Sequence, residues 1–500
     1  RVRAVSGGRP AVERLLEAME IGYWVDERDL ARIPRSGPLI AVANLPFGMV
    51  EGAILAALLP RVRPDVRILT HDPFAVLSRT ELGGTDRFLW LRPFRRGAPP
   101  ANLQPLREAI AWVRTGGMLV VFPAGDVAHL EIGRRRIVDG LWDAAVSRLI
   151  RRTGASALPI FFDGANSAPF QMLSLLHPAL RTMRLPHEFL NKRGKRIILR
   201  IGSPVPWKRL ARFQSGSEMR DYLYQRTYLL ANRRAGRVPR PVLPALHLGV
   251  RRPCPVAAPG DAAVVAAEVS RLPAESRLGV LDQLAVFVAP AAAIPNTLRE
   301  IGRLRELSFR AAGEGTGLSL DLDRFDQDYE HLFLWNQERA EIAGAYRVGR
   351  ADALLASRGL SGIYTHTLFE FSPEFFAHTG PALELGRSFV CPEYQRDFAP
   401  LLLLWKGIGA LVTRSPRYAV LFGPVSISND YQAVSRQFMV RFLKSRCGMP
   451  EMAPLVRARR PFRLRRPETW DLEVARGFVD DIDELSELVA EIDADGKGVT

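Results

Sequence analysis

Charged side chains recur at short intervals in the second half of this 500-residue chain. Arg305 and Phe309 lie on one predicted helix, Asp323 and Asp326 follow a glycine-rich turn, and Arg347 lies on a predicted strand. A positioned carboxylate can accept a proton directly or through water, and guanidinium groups bind carboxylates. The pattern therefore predicts a site that holds and deprotonates a small charged substrate.

A second group of such residues lies on a later predicted strand, Glu384-Leu-Gly-Arg387-Ser-Phe389-Val390. We expect Glu384 or Asp323 to act as the base through water, while arginines fix carboxylates. The candidate catalytic residues are Glu384, Asp323, Arg347 and Arg387, and the candidate substrate-binding residues are Arg305, Phe309, Asp326 and Arg396. Two alternatives stay open: pairs such as Arg387 with Glu384 or Asp326 only stabilise the domain, and Phe309, Phe325 and Phe389 only pack in the core.

Four sequence blocks accompany these residues: Ile363-Tyr-Thr-His-Thr-Leu-Phe369, ELGRSFV, PEYQR and LFGPVSIS. From about Ala285 to Arg446 the chain resembles the acyl-homoserine-lactone synthases and, more closely, the ornithine-lipid N-acyltransferases of the GNAT superfamily. The resemblance implies transfer of a (3-hydroxy)acyl group from a thioester to the amine of an amino acid. His366 of the first block is expected to be a packed histidine on a strand.

GNAT chemistry needs backbone donors for an oxyanion and a helix N-terminus that receives a phosphate. We expect Phe389-Val-Cys391 to form the strand that splays from its neighbour, and the helix to start within Asp397–Leu401. The segment between them, Pro392 to Pro400, contains no glycine. This favours a single phosphate, as on the phosphopantetheine arm of acyl carrier protein, over coenzyme A, with Arg396 as its contact.

The first half carries three further segments in order: Asn44-Leu-Pro-Phe-Gly-Met-Val-Glu51, Val121-Phe-Pro-Ala-Gly-Asp126-Val-Ala-His129, and Leu158 to Ser167. Together they resemble the glycerolipid (lysophospholipid) acyltransferase family, in the hemolysin-like branch that is fused to bacterial ornithine-lipid synthases. The resemblance runs from about Gly37 to about Tyr228. It implies a site formed by Asn44, Leu45, Glu51, Pro123, Gly125, Asp126 and His129.

One residue departs from that family, because Leu45 stands where its pattern has the catalytic histidine. Leucine accepts no proton, so Glu51 has no imidazole to orient, and general base catalysis typically contributes about 10²–10⁴-fold. His71 and His129 are the histidines nearest in sequence and are expected to have structural or phosphate-binding roles, with a repositioned base as the alternative. We therefore predict a degenerate acyltransferase domain that docks to membrane, acyl chain or carrier.

Short apolar runs alternate with helical segments in both halves, which predicts an α/β fold with two domains. The predicted boundaries are 1–231 for the glycerolipid-acyltransferase-like domain, 232–262 for a linker rich in Pro, Gly and Arg, and 263–500 for the GNAT-like domain. Predicted strands and helices include Leu39–Asn44, Met118–Phe122, Ala157–Phe162, Ile197–Ile201, Ala285–Ala289, His331–Asn336, Glu341–Val348, Leu383–Cys391, Asn296–Ala311, Ala399–Thr413 and Asp480–Ala494.

Basic charge is concentrated in residues 1–250, with 39 Lys or Arg against 20 Asp or Glu, whereas residues 251–500 have 30 against 33. Such a field attracts acyl carrier protein or an anionic membrane, and no nucleic-acid recognition motif is present. Three scattered cysteines indicate no metal site and no disulfide framework, and no apolar run is long enough to span a bilayer.

These features predict a cytoplasmic acyltransferase, peripheral on the inner membrane, with no bound cofactor and with acyl-ACP or acyl-CoA as donor. Its predicted activity is N-acylation of an amino acid in aminolipid biosynthesis. The alternatives are O-acylation of a lyso-lipid acceptor by the first domain, and a non-catalytic membrane-binding protein.

Overall fold

A computed structural model describes residues 11–71, 87–91, 102–131, 136–233, 253–463, 479 and 481–493. These residues form two compact units. Residues 234–252, most of the predicted linker, lie outside the described part of the chain. The fold is α/β, as the alternation of apolar runs predicts.

The first unit is built on a seven-stranded sheet with the order β1-β9-β8-β2-β5-β3-β4. All neighbours are parallel except β8 and β9. The strands are β1 Gly22–Trp24, β2 Leu39–Ala43, β3 Val66–His71, β4 Phe88–Leu91, β5 Met118–Val121, β6 His129–Glu131, β7 Arg136–Val138, β8 Ser156–Asp163 and β9 Arg196–Ile201. Strands β6 and β7 form a separate antiparallel pair.

Helices cover the faces of this sheet. They are α1 Ala11–Ala18, α2 Glu27–Ala31, α3 Val50–Leu58, α4 Leu103–Arg114, α5 Ala145–Thr153, α6 Ala168–Leu176, α7 Pro178–Leu190, α8 Trp207–Leu210 and α9 Gly216–Leu229. Every residue of β2 and β5 is buried, as expected for central strands of a sheet with both faces covered. Alternate residues of β2 enter two separate cores, Leu39 and Ala41 in one and Ile40 and Val42 in the other.

The second unit is built on a six-stranded sheet with the order β10-β11-β12-β13-β15-β16. Its strands, together with the small β14–β17 pair, are β10 Arg277–Leu281, β11 Leu284–Pro290, β12 Glu330–Asn336, β13 Glu341–Arg350, β14 Phe369–Phe371, β15 Ala382–Val390, β16 Val420–Phe422 and β17 Val456–Ala458. The helices are α10 Ala262–Ser270, α11 Pro295–Ala311, α12 Ala351–Arg358, α13 Pro373–Thr379 and α14 Ala399–Arg414.

The far edge of this sheet changes its pairing at β15. Neighbouring strands are antiparallel from β10 to β15, whereas β15 and β16 run parallel. This parallel pair extends only over residues 382–384, while β15 continues beside β13 as far as Val390. Strand β16 ends at Phe422, the partner of Glu384, so Phe389 and Val390 lie beyond the end of the β15–β16 pairing.

The division of the chain differs from the predicted one. Two described segments of the predicted second domain, 432–446 and 481–493, belong to the first unit. Their described helices are α15 Ala433–Arg446 and α16 Ile482–Ile492. Helix α16 buries four apolar side chains, Leu485, Leu488, Val489 and Ile492. Its Glu491 is buried 2.7 Å from the Arg226 guanidinium, and Glu491 Oε1 accepts a bond of 2.6 Å from the Ser203 amide.

Most predicted elements are confirmed, including the β12–β13 hairpin, α14 and the acidic helix α16. The block around His366 is different, because residues Tyr364–Thr367 form a short 3-10 helix and not a strand. Among the described residues, no helix is long and apolar enough to cross a bilayer.

The buried Glu491–Arg226 pair predicts how α16 is held. We expect Glu491→Ala to destabilise the first unit by about 3–5 kcal/mol, because it leaves a buried guanidinium without its partner. Glu487→Ala is the matched control: Glu487 is 57% exposed and pairs with Arg209, so its loss should cost less than about 1 kcal/mol. Hydrogen exchange across residues 216–229 and 482–492 measures both, and equal protection in the two variants would contradict this role.

Candidate functional site

The predicted charged residues of the second unit converge on one network. Arg347 on β13 bonds Asp323 Oδ1 at 2.6 Å and lies 3.3 Å from Asp326. Arg305 on α11 bonds Asp326 at 3.0 Å. Arg387 on β15 lies 4.0 Å from Asp323, so groups from a helix, a turn and two strands meet here.

Exposure divides this network into an interior and a rim. The side chains of Arg305, Arg347 and Asp326 are each 1% exposed. Asp323 and Arg387 keep 27% and 20% of their surface, so these two reach solvent. In this structure these three side chains hold the rim in position. The candidate roles of Arg305 and Asp326 as substrate contacts, and of Arg347 as a catalytic group, stay predictions.

The interior charges stay ionised because they neutralise one another. Burial alone would raise the pKa of Asp326, but Arg305 and Arg347 outweigh burial and hold this pKa below its usual range. Burial likewise acts to lower the pKa of Arg347, and Asp326 and Asp323 reverse it. His331 contacts the Asp326 carbonyl at 2.9 Å, and burial lowers its pKa to about 4, so it is neutral at physiological pH.

Glu384, one of the two predicted bases, binds the backbone in this structure. Its side chain is 1% exposed, and both oxygens are occupied. Oε1 accepts from the Thr365 amide at 2.6 Å, while Oε2 accepts from the Tyr364 amide at 3.1 Å and from the Tyr329 hydroxyl. Glu384 therefore fixes the turn at residues 364–367, and its action as a base through water stays a prediction.

That turn supplies a residue that the sequence pattern does not indicate. The ring of Tyr364 lies 4.6 Å from the Arg347 guanidinium carbon and 5.4 Å from that of Arg387. Phe309, half-buried on α11, lies 5.7 Å from Arg387 on another side. Two aromatic rings thus hold the Arg387 side chain at the rim, by the attraction of a cation to an aromatic face.

The backbone at Arg387 is irregular. The register between β13 and β15 shifts between Ala345 and Arg347, and Arg387 has a φ of 49°. A bulge of this kind turns a side chain and leaves backbone groups out of the ladder. It lies directly after the residues of β15 that pair with β16, in the region expected to provide oxyanion donors.

The helix that follows begins at Ala399, within the predicted range. The amide of Ala399, the first residue of this helix, donates to Asp397 Oδ1 at 3.0 Å. A carboxylate of the chain therefore already occupies one amide at this end. Arg396 is exposed beside it. Its role as a phosphate contact stays a prediction.

In the first unit, Glu51 is completely buried at the start of α3, and its carboxylate binds backbone. It accepts from the Phe47 amide at 2.5 Å and from the Gly48 amide at 3.1 Å. Burial raises its pKa to about 7. Leu45 lies in the same loop and supplies no proton acceptor, so Glu51 orients the loop and not an imidazole.

Asp139 is a buried carboxylate that the motifs do not indicate. It accepts from the Leu45 amide at 3.1 Å and from Trp142 Nε1 at 2.9 Å. Burial raises its pKa to about 6, although the charge of nearby His129 acts to lower it. His129 is half-buried on β6, and its Nδ1 is 3.3 Å from the Val127 carbonyl. The side chain of His71 lies outside the described part of the chain.

The other predicted residues of this half connect its loops. Asn44 exchanges two hydrogen bonds with the Phe162 backbone, at 2.7 and 3.0 Å, and so joins the end of β2 to β8. The Pro123 carbonyl accepts from the Asp143 amide at 2.8 Å, and Gly125 has a φ of 64°. Asp126 forms an ion pair with Arg181 of α7. In the part of the chain that the structure describes, no group of His, Cys, Asp and Glu is arranged to hold a metal ion.

Comparison with known proteins agrees with this geometry. Residues 304–406, which contain the charged network, match a family model described as an acetyltransferase (GNAT) domain. A glycine N(alpha)-acyltransferase of Bacteroides thetaiotaomicron is 42% identical over 161 residues, which are 30% of this chain and 48% of that protein. The match thus spans about half the length of this relative.

A lyso-glycine lipid O-acyltransferase of Phocaeicola vulgatus is 24% identical over 233 residues, which are 45% of this chain and 80% of that protein. A crystal structure of the 1-acyl-sn-glycerophosphate acyltransferase of Thermotoga maritima covers 42% of this chain and 71% of its own at 17% identity, with a TM-score of 0.28 that supports no argument. The family match and the relatives confirm the resemblance to GNAT-type and glycerolipid-type acyltransferases.

Burial of Glu51 predicts a pH dependence. Because its pKa rises from 4.5 to about 7 on folding, the folded state binds more protons between these values, and stability falls as pH rises from about 4.5 to 7. Glu51→Gln should remove up to about 3 kcal/mol of this fall, leaving the smaller share of Asp139. The exposed Glu27→Gln is the control, and urea titrations between pH 5 and 8 measure the slope. An unchanged slope in Glu51→Gln would contradict the raised pKa.

Proposed function

We propose that the chain is an acyltransferase of aminolipid biosynthesis, and that its second unit transfers an acyl group to the amine of an amino acid. The observation that carries this proposal is the rim of the charged network. There an accessible carboxylate, Asp323, and an accessible guanidinium, Arg387, lie 4.0 Å apart, and Arg387 lies on β15 beyond the end of its pairing with β16.

The rim has the charge pattern of an amino-acid acceptor. Arg387 binds the α-carboxylate, because its side chain is 20% exposed and its contacts with Asp321 at 3.5 Å and Asp323 at 4.0 Å are loose. Asp323 Oδ1 is engaged by Arg347 and by the Phe325 amide, which leaves Oδ2 for the ammonium group. A compact pair of opposite charges selects a zwitterion over an amine or an acid alone.

The reaction at this rim is aminolysis of a thioester. The ammonium loses a proton through water to Asp323, and the free nitrogen attacks the thioester carbonyl. A carbon–nitrogen bond forms and the carbon–sulfur bond breaks. The nitrogen releases its second proton, and the departing thiolate takes up this proton to leave as a thiol. The oxyanion formed between these steps is stabilised by backbone amides of β15 beyond its pairing with β16.

The donor in this proposal is acyl carrier protein. The loop before α14 contains no glycine, and Asp397 already caps the helix, which leaves little room for a second phosphate. Exposed Arg396 then contacts the single phosphate of the phosphopantetheine arm. Coenzyme A is the alternative donor, and a direct comparison of the two thioesters decides between them.

Glycine is the first acceptor to test, since the relative with 42% identity is a glycine N(alpha)-acyltransferase. Ornithine is the second, because the quoted blocks resemble ornithine-lipid enzymes. The rim itself recognises the α-amine and α-carboxylate that both share. In the first unit, Leu45 and the backbone-bound Glu51 support a binding domain without O-acyltransferase activity.

Substitutions at the rim test the proposed acceptor site. We expect Asp323→Asn to lower kcat for amide formation by about 10²–10⁴-fold, because the proton acceptor is lost. Arg387→Gln should raise KM for glycine by about 10–100-fold and reduce the preference for glycine over methylamine, because a charge-assisted bond to the carboxylate is lost. Mass spectrometry of the products of acyl carrier protein thioester and each amine measures both effects.

Arg358→Gln is the matched control in the same unit, because it removes a surface pair with Asp328 and leaves the rim unchanged. Its amide formation should equal that of the unaltered chain. An Arg387→Gln chain that keeps its preference for glycine over methylamine would place the carboxylate contact elsewhere. Failure of the unaltered chain to acylate any amino acid would refute the proposed activity.

The loss of the histidine in the first unit is tested at position 45. Leu45→His should raise ester formation on a lyso-lipid by less than about tenfold, far below the usual contribution of a general base, because Glu51 is held by backbone amides. The same assay on the unaltered chain is the reference. Rapid ester formation by the unaltered chain would show that another residue serves as the base.

A further inference from the structure

Two successive helices of the first unit expose an unusual amount of apolar surface. Met172 and Leu175 of α6 are 68% and 44% exposed, and Met183 and Leu190 of α7 are 78% and 61% exposed. Soluble proteins seldom expose so many large apolar side chains within one short segment. This surface of α6 and α7 is called the apolar hairpin below.

The exposed residues have helical spacing. Met172 and Leu175 are three residues apart, as are Leu180 and Met183, and Leu190 follows Met183 by seven. Residues with these spacings lie along one face of a helix. The opposite side of α7 is buried, since Glu188 accepts from the Ser167 hydroxyl at 2.5 Å. Both helices are therefore amphipathic, with an apolar face turned to solvent.

Positive charge accompanies this apolar face. Residues 168–196 contain six Lys or Arg and a single acidic residue, Glu188, which is buried. The turn that follows α7 exposes Arg193, Lys195 and Arg196. An exposed apolar face with basic residues beside it is the composition of segments that lie in an anionic membrane interface.

The apolar hairpin is also tied to the candidate acyltransferase site of its own unit. Arg181 of α7 pairs with Asp126, and Gln171 of α6 accepts from the Leu130 amide at 2.8 Å. Leu185 packs so close to Gly48 that a Cβ there would lie 3.2 Å from it. The helices thus contact both the Pro-Phe-Gly loop and the Phe-Pro-Ala-Gly segment.

We propose that the apolar hairpin inserts into the surface of an anionic lipid bilayer and places the candidate acyltransferase site of the first unit near the lipid head groups. A bilayer accepts exposed Met and Leu side chains of any shape, because it imposes no complementary shape, whereas a folded partner requires one. The surrounding basic residues match the negative charge of the lipids. This inference concerns the first unit and does not depend on amide formation by the second.

Vesicle binding by the full chain tests this surface. We expect the chain to co-sediment with vesicles that contain phosphatidylglycerol, less with pure phosphatidylcholine, and less at high salt because salt screens the attraction. The double variant Met183→Glu, Leu190→Glu should weaken binding by at least about tenfold, because it removes insertion and adds negative charge. Leu103→Glu, at another exposed apolar position of this unit, should bind as the unaltered chain does.

Hydrogen exchange on the unaltered chain gives a test that needs no variant. Vesicles of phosphatidylglycerol should protect residues 168–190 while leaving the exchange of 103–114 unchanged. Absence of vesicle binding, or equal binding by the double variant and the chain with Leu103→Glu, would overturn the proposal. So would a concentration-dependent dimer or a complex with acyl carrier protein that only the double variant loses, because the face would then be a protein interface.

Discussion

The second unit depends on the mutual neutralisation of charges that water does not reach. Arg305, Arg347 and Asp326 are almost fully buried, and each would be costly to bury alone. Together with the more exposed Asp323 they join α11, the turn before β12, and β13. Since a guanidinium fork has fixed geometry, this arrangement also fixes the position of each element relative to the others. The interior of the network is therefore what holds Asp323 in place, and the separation of rim from interior follows from burial.

The same principle operates at the neighbouring turn, with backbone amides in place of arginines. Glu384 lies on β15, three residues before Arg387, and accepts hydrogen bonds from the amides of Tyr364 and Thr365. This places the Tyr364 ring against both Arg347 and Arg387. A carboxylate in the middle of a strand thus acts through a loop to orient a side chain three residues farther along. Two carboxylates of the predicted site, Glu384 and Asp323, thus differ in their surroundings, because backbone amides bind Glu384 whereas Asp323 reaches solvent.

Local patterns predicted the elements well, and failures occur where a contact spans a long stretch of chain. The hairpin of β12 and β13, helix α14 and strand β2 have strong apolar periodicity, so their bounds lie within a few residues of the predicted ones. The grouping of Asp323, Arg347 and Arg387 was predictable from residue types and resemblance. The hydrogen bonds of Glu384 to backbone amides were not predictable, because they depend on the fold of residues 364–367. Asp139 contacts Leu45 across 94 residues and has no motif of its own. The association of α16 with the first unit likewise depends on Arg226, which no local signal connects to an acidic helix.

The backbone conformation of Arg387 lowers the stability of the fold at a residue of the candidate site. A φ of 49° costs a residue with a side chain roughly 1–2 kcal/mol, and glycine or asparagine adopts it more easily. Selection of variants for heat resistance alone would therefore favour replacement of this arginine, and the molecules recovered would lack the guanidinium to which the proposed activity assigns the acceptor carboxylate. Laboratory evolution of this enzyme type should retain a screen for product at every round.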